Sequence, residues 1–567
     1  MRTPSEGEPL KEDSKYERYR HFNTPPNMED YESSKNFQIE VPKYYNFGFD
    51  VVDERAKDRS KLALIVVNDL GDREDKYSFW DVKLQSNKMA NVFRNHGIEK
   101  GDTVLLALPR IAEWQISLVA LIKQGAIAVP STIMLTAKDL NYRINASQAK
   151  AVITDSANAP KIDEISTECP NLKEKFLVGD VRVNWTSLED EMKQASHVFE
   201  NVPKNRSTDQ MLMYFTSGTE AHPKMVLHTH DYPLGHLVTA KFWQDLKPTD
   251  LHWTLADTGW AKAAWGNIFG QWIVGATVLQ HNARGRFDPK LTLDLLQKYA
   301  VTTFCAAPTA YRLLIKEDLK KYDLSELRHC FSAGEPLNPE VIRIWREGIG
   351  LLIYDGYGQT ETCNLLANFR CLDVKWGSMG KPAPGWDVMI VDDEGNELPN
   401  GEEGHIAVNL REKRPIGLLK EYWNNPSVNS NSFRNGLYYT GDKAYRDDDG
   451  YFWFVGRADD VIKSAGYRIG PFEVESALIE HPAVLEAAVV GKPDELRGSI
   501  VKAYVVLTKH YSPSEDLKKE LQDHVKKVTA PYRYPREIEF VSELPKTISG
   551  KIQRSVLRKR EEDSGSK

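Results

Sequence analysis

Thr216-Ser217-Gly218-Thr219-Glu220-Ala221-His222-Pro223-Lys224 gathers hydroxyls, a glycine and a lysine into nine residues behind the apolar pair Tyr214-Phe215. Such a set suits a loop around polyphosphate. Backbone N–H groups and hydroxyls donate hydrogen bonds, and the ammonium adds a point charge. It is not a Walker A loop, because no x4-Gly-Lys-Ser/Thr follows Gly218. Two glycine-bearing blocks come later, Ser332-Ala333-Gly334-Glu335-Pro336 and Tyr354-Asp355-Gly356-Tyr357-Gly358-Gln359-Thr360-Glu361, each after a strand-like run. Read as turns at the end of a sheet, they let backbone approach a flat base, on which Tyr357 can stack. The dinucleotide pattern GxGxxG is not met. In Tyr439-Thr440-Gly441-Asp442 the carboxylate can accept both hydroxyls of a ribose, and Gly456-Arg457 adds a cation. Lys551, within Leu544-Pro545-Lys546-Thr547-Ile548-Ser549-Gly550-Lys551-Ile552-Gln553-Arg554, falls on a predicted loop. Taken singly, each of these is ordinarily a surface turn or a solvated charge.

Their order carries more than any one of them. From Thr216 to Lys551 these blocks resemble the signatures of the adenylate-forming superfamily, which includes acyl-CoA synthetases, luciferases and the adenylation domains of peptide synthetases. The phosphate loop there looks like TSGTTGxPKxV. Here Glu220 and Ala221 stand where Ser/Thr and Gly are usual, adding a like charge near phosphate and restricting positive φ. The resemblance implies that ATP or AMP is held by Thr216, Ser217, Gly218, Thr219, Lys224, Gly334, Glu335, Pro336, Asp355, Gly356, Tyr357, Gly358, Gln359, Thr360, Asp442, Arg457 and Lys551. It implies a catalytic set of Lys551, Thr216, Lys224 and Glu361. Glu361 would be the Mg²⁺ ligand, a hard oxygen donor of the type that ion prefers. Asp459 matches the pivot about which a small domain turns between two half-reactions, the first joining a carboxylic acid to AMP and the second passing the acyl group to a thiol. No catalytic base is needed for the first, since a carboxylic acid of pKa about 4–5 is ionised at pH 7.

Ser464-Ala465-Gly466-Tyr467-Arg468-Ile469-Gly470 is similar to the medium-chain acyl-CoA synthetase branch, as are Arg497, Lys526 and Tyr534 in their contexts. The likeness implies that Ala465, Gly466, Tyr467, Arg468, Arg497, Lys526 and Tyr534 contact coenzyme A. It also implies that Trp260, and second to it Trp265, wall an acyl tunnel, which favours short, branched or medium-chain acids and leaves an aryl acid open. An adenylation enzyme loading a carrier-protein thiol is the alternative within the superfamily, with little chain left after Lys551 for a carrier domain. A non-catalytic nucleotide-binding protein is the alternative from another class.

These residues need a scaffold. Val104–Leu108 reads as a strand, Ala112–Gln124 as a helix closed by Gly125, and Ala126–Val129 as a second strand, a βαβ unit that implies parallel strands. Helical Leu291–Tyr299, strand-like Thr302–Ala306 and a helix start at Pro308 repeat that order. The large body is therefore α/β, with ligands at the C-terminal ends of its strands. The last hundred residues read as a small α+β module: strands Val484–Val490 and Ile500–Leu507, then a helix opened by Ser512 with Pro513 first, its inner face marked by Leu517, Leu521, Val525 and Val528. The expected division is a mobile or loosely docked extension over 1–40, an adenylation domain over 41–456 with stacked sheets and a barrel-like piece, a hinge at 457–460 and a mobile lid over 461–567.

Bulk properties set the remaining limits. A net charge of −7 gives no reason to expect a nucleic-acid surface, and no apolar run reaches the roughly 20 residues a membrane span needs. Five cysteines without a CxxC pair do not form a disulfide framework. The first 40 residues hold no apolar signal segment and many acidic residues, unlike a transit peptide. A cytoplasmic enzyme is expected. Self-association into a homo-oligomer stays open.

Overall fold

The computed structural model describes residues 24–216, 223–464, 467–494, 497–547 and 551–565. Most of the chain forms two large, mainly parallel sheets. In the first, Thr103–Ala107 lies between Ile127–Pro130 and Ala151–Asp155, parallel to both, and Gln210–Phe215 continues the sheet beyond Ile127–Pro130. In the second, Thr277–His281, Leu251–Thr254, Thr303–Ala306, His329–Ala333 and Ile353–Gly358 run side by side in parallel. Val104–Ala107, Ile127–Val129 and Ala151–Ile153 are apolar and buried throughout, as strands covered on both faces require, while the second sheet also buries polar side chains such as His252, Gln280 and His329.

Helix Ala112–Gln124 fills the space between these sheets. All of its residues except Glu113 are buried. It packs on the first sheet through its own βαβ unit, while the Gln115 amide reaches Gln280 on the second. Burying a Leu, Ile or Trp there stabilises by about 1.5–3 kcal/mol each. Its local signals are plain. Gly125 closes it at φ 76°, in the left-handed region a glycine C-cap supplies. One cation, Lys123, is enclosed with it and donates to Asp53 Oδ1 and Asn87 Oδ1, both at 2.7 Å. Burial pulls that ammonium down to about 8.

A smaller antiparallel sheet follows, built on Val388–Val391, Gly404–Asn409, Leu437–Arg446 and Phe452–Arg457. The chain leaves it at Arg457, turns, and enters the C-terminal unit at Ile462. That unit is α+β: the hairpin Val484–Asp494 and Gly498–Leu507 pairs with Glu537–Phe540, and helices Pro471–Ile479, Glu515–Val528 and Arg554–Gly565 accompany it.

Three expectations need correction. The segment 24–40 is not loosely docked. Met28 and Tyr31 are buried, Asn27 bonds to Asp245, Lys241 and Leu246, and Phe37 meets Phe242 edge-on. Its polar composition hid a few anchors that carry the docking. The helix after Ser512 starts two residues late: Ser514 is its N-cap, accepting from Leu517 N at 3.1 Å, and Pro513 lies outside. Leu517, Leu521 and Val525 are buried as the periodicity predicts, but Val528 is 43% exposed where the last turn leaves the core.

Candidate active site

The C-terminal ends of the second sheet's strands converge on Asp442. Strand Ile353–Gly358 brings Tyr357, whose Oη donates to Asp442 Oδ2 at 2.6 Å. The next residue but one, Gln359, donates through Nε2 to the same oxygen at 2.8 Å and to Thr440 O at 2.9 Å. Tyr438 fixes the other end of that amide, at 3.2 Å. Arg457 Nε stands 3.4 Å from Asp442 Oδ1. Burial raises the Asp442 carboxyl, and Arg457, Tyr357 and Gln359 pull it back toward the ionised form. One carboxylate oxygen is thus committed to protein donors, and the other faces the guanidinium.

Asp355–Gly358 is strand, not the turn its glycines suggest. It pairs in parallel with His329–Ala333 and antiparallel with Asn364–Ala367, and the turn comes at Gln359–Thr362, where Gln359 N donates to Thr362 Oγ1 at 3.1 Å. The glycines serve packing. A Cβ on Gly356 would lie 2.5 Å from the Trp243 ring, and one on Gly358 would collide with the Trp265 ring. Gly334, by contrast, has open space around it but sits at φ 104° just past the strand His329–Ala333, a conformation for which glycine is the natural residue. Glu335 beside it accepts from Thr309 Oγ1 at 2.9 Å and faces Arg312 at 3.5 Å, and Pro336 follows half-buried.

On the other side, strands Gln210–Phe215 and Met225–Thr229 pair antiparallel and hold the base of the phosphate loop. Thr216 N donates to Lys224 O at 2.8 Å. Ser217, Gly218 and Thr219, with the unusual Glu220 and Ala221, lie outside the described residues. Next to this base is Glu361. Tyr422 Oη donates to its Oε1 at 3.0 Å, and Lys224 Nζ lies 6.0 Å from the centre of the Tyr422 ring. Burial raises the Glu361 carboxyl, which the Tyr422 bond offsets only in part. Thr360 is fixed through its carbonyl, which accepts from His228 Nε2 at 2.8 Å.

Lys551 is tied to Thr547: Thr547 N donates to Lys551 O at 2.7 Å, and Lys551 N donates to Thr547 Oγ1 at 3.1 Å. Its ammonium is within electrostatic range of Asp442 and of Lys262, so the C-terminal unit is set with this cation toward the strand ends. Lys262, which the sequence did not single out, donates to Ala333 O at 3.0 Å. Burial lowers its ammonium, and Lys551 adds to that effect. Trp265 is buried, edge-on to Trp243 and against Gly358, whereas Trp260 is half-buried at the N-cap of helix Ala261–Gly266. At the turn, Asp459 and Asp460 both face Arg558 of the last helix, Asp459 at 3.7 Å.

The residues singled out for coenzyme A are less enclosed. Ala465 and Gly466 lie outside the described residues. Tyr467 is half-exposed, and Arg468 continues its short strand Tyr467–Ile469. Lys526 Nζ is 2.8 Å from Asp523 and 4.4 Å from the Tyr534 ring centre, and Arg497 is exposed at the turn after Asp494. Tyr422, Tyr438, His228 and Lys262 escaped the sequence reading. Tyr422 reaches the site only because Glu421-Tyr422 pairs with Leu227-Val226, a long-range register with no local mark. Among the described residues no helix is long and apolar enough to cross a membrane.

Residues 52–423 match the family model for AMP-binding enzymes, and residues 473–551 match the model for the C-terminal domain of those enzymes. The chain is 47% identical to the mitochondrial acyl-coenzyme A synthetase ACSM3 of Mus musculus over 95% of its own length and 94% of that protein's. It is 48% identical to the mitochondrial acyl-coenzyme A synthetase ACSM4 of Homo sapiens over 95% and 94%. Among solved structures, the anthranilate CoA ligase AuaEII in complex with anthranoyl-AMP superimposes with a TM-score of 0.85 at 33% identity, covering 93% of this chain and 99% of that one. The expectation of a cytoplasmic enzyme is overturned by the mitochondrial relatives. It rested on the cysteines and on the composition of the first 40 residues, of which 24–40 pack against the large body. The chain belongs to the AMP-binding enzymes and, among them, is an AMP-forming acyl-coenzyme A synthetase like the ACSM proteins.

Proposed function

We propose that this enzyme activates a short, branched or medium-chain carboxylic acid, or an aryl acid of similar size, in a cleft formed by Asp442, Tyr357, Gln359, Arg457, Glu361, Lys224 and Lys551. The observation that carries the reading is the convergence of Asp442 with Tyr357, Gln359 and Arg457 at the strand ends, with the Lys551 ammonium in electrostatic range. A buried carboxylate held by three donors is a fixed seat for ribose hydroxyls, and the adenine then lies along Gly334–Pro336 and Asp355–Thr360.

In the first step the acid's carboxylate oxygen attacks the α-phosphorus of ATP, the bond to the β-phosphate oxygen breaks, and pyrophosphate leaves. Negative charge gathers on the phosphoryl oxygens. In this reading Lys551 and Lys224 meet it with ammonium groups and Thr216 with a hydroxyl, donors of the kind that stabilise developing charge. The residues present fit a magnesium ion at Glu361, a half-buried carboxylate with a phenol donor on it, whose raised pKa a cation would lower; bound there, the ion would neutralise phosphate charge. In the second step the thiol of coenzyme A, with a pKa of about 8.5, loses its proton, its sulfur attacks the acyl carbon, and the bond to AMP breaks.

Lys551 and the thiol need the same space at different times. Rotation about Asp459 resolves this, with 41–456 as the fixed domain, 457–460 as the hinge and 461–567 as the lid. A hinge is a few residues at an element boundary that absorb backbone rotation, and Asp459 lies between strand Phe452–Arg457 and strand Ile462–Ser464. Trp265, and Trp260 beside it, would limit the acid's length. The relatives' compartment makes the mitochondrion our proposed location.

Incubation with ATP, Mg²⁺, coenzyme A and a panel of acids tests the reading. AMP, pyrophosphate and thioester should appear in equal amounts, best with short, branched, medium-chain or aryl acids. Thioester only with long-chain acids overturns the acid class, and pyrophosphate without thioester overturns the second step.

A further inference from the structure

Helix Arg554–Gly565 starts three residues after Lys551. Helices usually dock by an apolar stripe. On this one, Arg554, Arg558 and Glu561 recur at helical spacing on one face, and each meets opposite charge. Glu561 is buried and accepts from Lys502 Nζ at 2.8 Å and from Tyr504 Oη, both on strand Gly498–Leu507. Arg554 donates through Nε and Nη2 to the two oxygens of Glu475, at 3.0 and 2.6 Å, on helix Pro471–Ile479. These contacts fix the helix to its own unit. Arg558 reaches elsewhere, to the turn that joins the unit to the large body. Its Nη1 meets Asp460 Oδ1, and its Nη2 lies 3.7 Å from Asp459 Oδ2. Apolar residues of similar volume would hold a helix in place at least as well as ion pairs do, so docking alone does not account for an arginine here.

The two aspartates stand differently toward the pivot. Asp460 lies past it and travels with the unit, so its pair with Arg558 is constant. Asp459 is the pivot. Rotation beyond its Cα turns helix Arg554–Gly565 relative to the Asp459 carboxylate and parts that carboxylate from Arg558. The Asp459–Arg558 pair thus accompanies the pose seen here, in which the Lys551 ammonium is within electrostatic range of Asp442. Arg457, just before the pivot, already stands against Asp442.

We propose that Arg558 is a positioning residue for the first half-reaction: it holds the Asp459 carboxylate and so weights the hinge toward the pose that brings Lys551 to the reacting phosphorus. The inference deepens the two-step reading above and rests on it. Asp459 is 47% exposed, so the pair shifts the balance of poses by no more than roughly fivefold, and salt screens it.

The test assays both halves separately, pyrophosphate release from ATP and acid, and transfer from supplied acyl-AMP to coenzyme A. Arg558→Gln should slow the first by roughly two- to fivefold and leave the second unchanged or faster, and Arg558→Lys should restore most of the loss. At 0.5 M salt the gap between wild type and Arg558→Gln should close. Asp459→Asn probes the same pair from the turn, should the glutamine loosen the helix, and in that background Arg558→Gln should change nothing further. Equal losses in both halves, no loss in either, or the full Arg558→Gln loss in the Asp459→Asn background overturn the proposal. Wild-type enzyme that releases pyrophosphate but makes no thioester overturns the two-step reading instead.

Discussion

The cleft around Asp442 and the Tyr467–Tyr532 stack at the tip of the C-terminal unit use the same kinds of side chain in opposite ways. In the cleft, Tyr357, Tyr422 and Tyr438 each have the hydroxyl tied to a named acceptor on Asp442, Glu361 or Gln359. Asp442 is buried, and its charge is held by neighbours 2.6 to 3.4 Å away. At the tip, Tyr467 and Tyr532 meet only ring to ring, and Lys526 pairs with an exposed aspartate one helical turn away. A fixed site strengthens its electrostatics by excluding water and ordering its donors before substrate arrives. A site that must turn through solvent between two poses can keep few such bonds. The difference predicts where mutation and pH will be felt.

The largest effect should come from acid. His228, His230, His236, His252 and His329 are buried in the large body, and burial holds their pKa values down to about 3 or 4, against 6.5. Folded pKa values below the unfolded ones mean that the unfolded chain binds protons first. Stability from these groups is therefore complete above about pH 6.5 and falls as pH drops toward 4, by roughly 1.4 kcal/mol per histidine per pH unit. Calorimetry between pH 7.5 and 5 should find the main transition falling steeply. His236→Phe should flatten that slope by one histidine's share, and an unchanged slope contradicts the assignment.

Next in size is Trp265→Ala, which empties the space against Gly358 and Trp243 and should cost about 3–5 kcal/mol in urea unfolding. Tyr467→Ala on the exposed tip should cost under about 1 kcal/mol by the same measurement. Equal losses would erase the comparison. Asp442→Asn should lower kcat/KM for ATP by roughly 10- to 100-fold, the worth of a charge-assisted bond in a buried place. Smallest is Lys526→Ala. An exposed ion pair is worth about 0–1 kcal/mol, so its melting point should hardly move while KM for coenzyme A rises a few-fold.

Where the physics is local, sequence reading found it. Helix Ala112–Gln124 has Trp114, Leu118, Leu121 and Ile122 at helical spacing and a glycine just past its end, marks that are local to the segment. The order of blocks from Thr216 to Lys551 pointed to Tyr357, Gln359, Asp442 and Arg457, which the fold brings together. The misreadings share a cause. Gly356 and Gly358 looked like turn formers because the tryptophans that require them, Trp243 and Trp265, lie some hundred residues earlier in the chain. Tyr422 and Lys262 enter the site through strand pairing and a helix end that no spacing rule marks. Residues 24–40 looked solvated because a few anchors, Asn27, Met28, Tyr31 and Phe37, outweigh the polar residues around them.

The central claim is that a moving ammonium serves one half-reaction and is dispensable in the other. Lys551→Ala, assayed in both halves, tests it most directly. Pyrophosphate release from ATP and acid should fall by roughly 10²–10³-fold, the typical loss when one donor to a transition-state oxyanion is removed. Transfer from supplied acyl-AMP to coenzyme A should stay within about threefold of wild type. Adenylation that survives the change, or transfer that falls as far as adenylation does, contradicts the account.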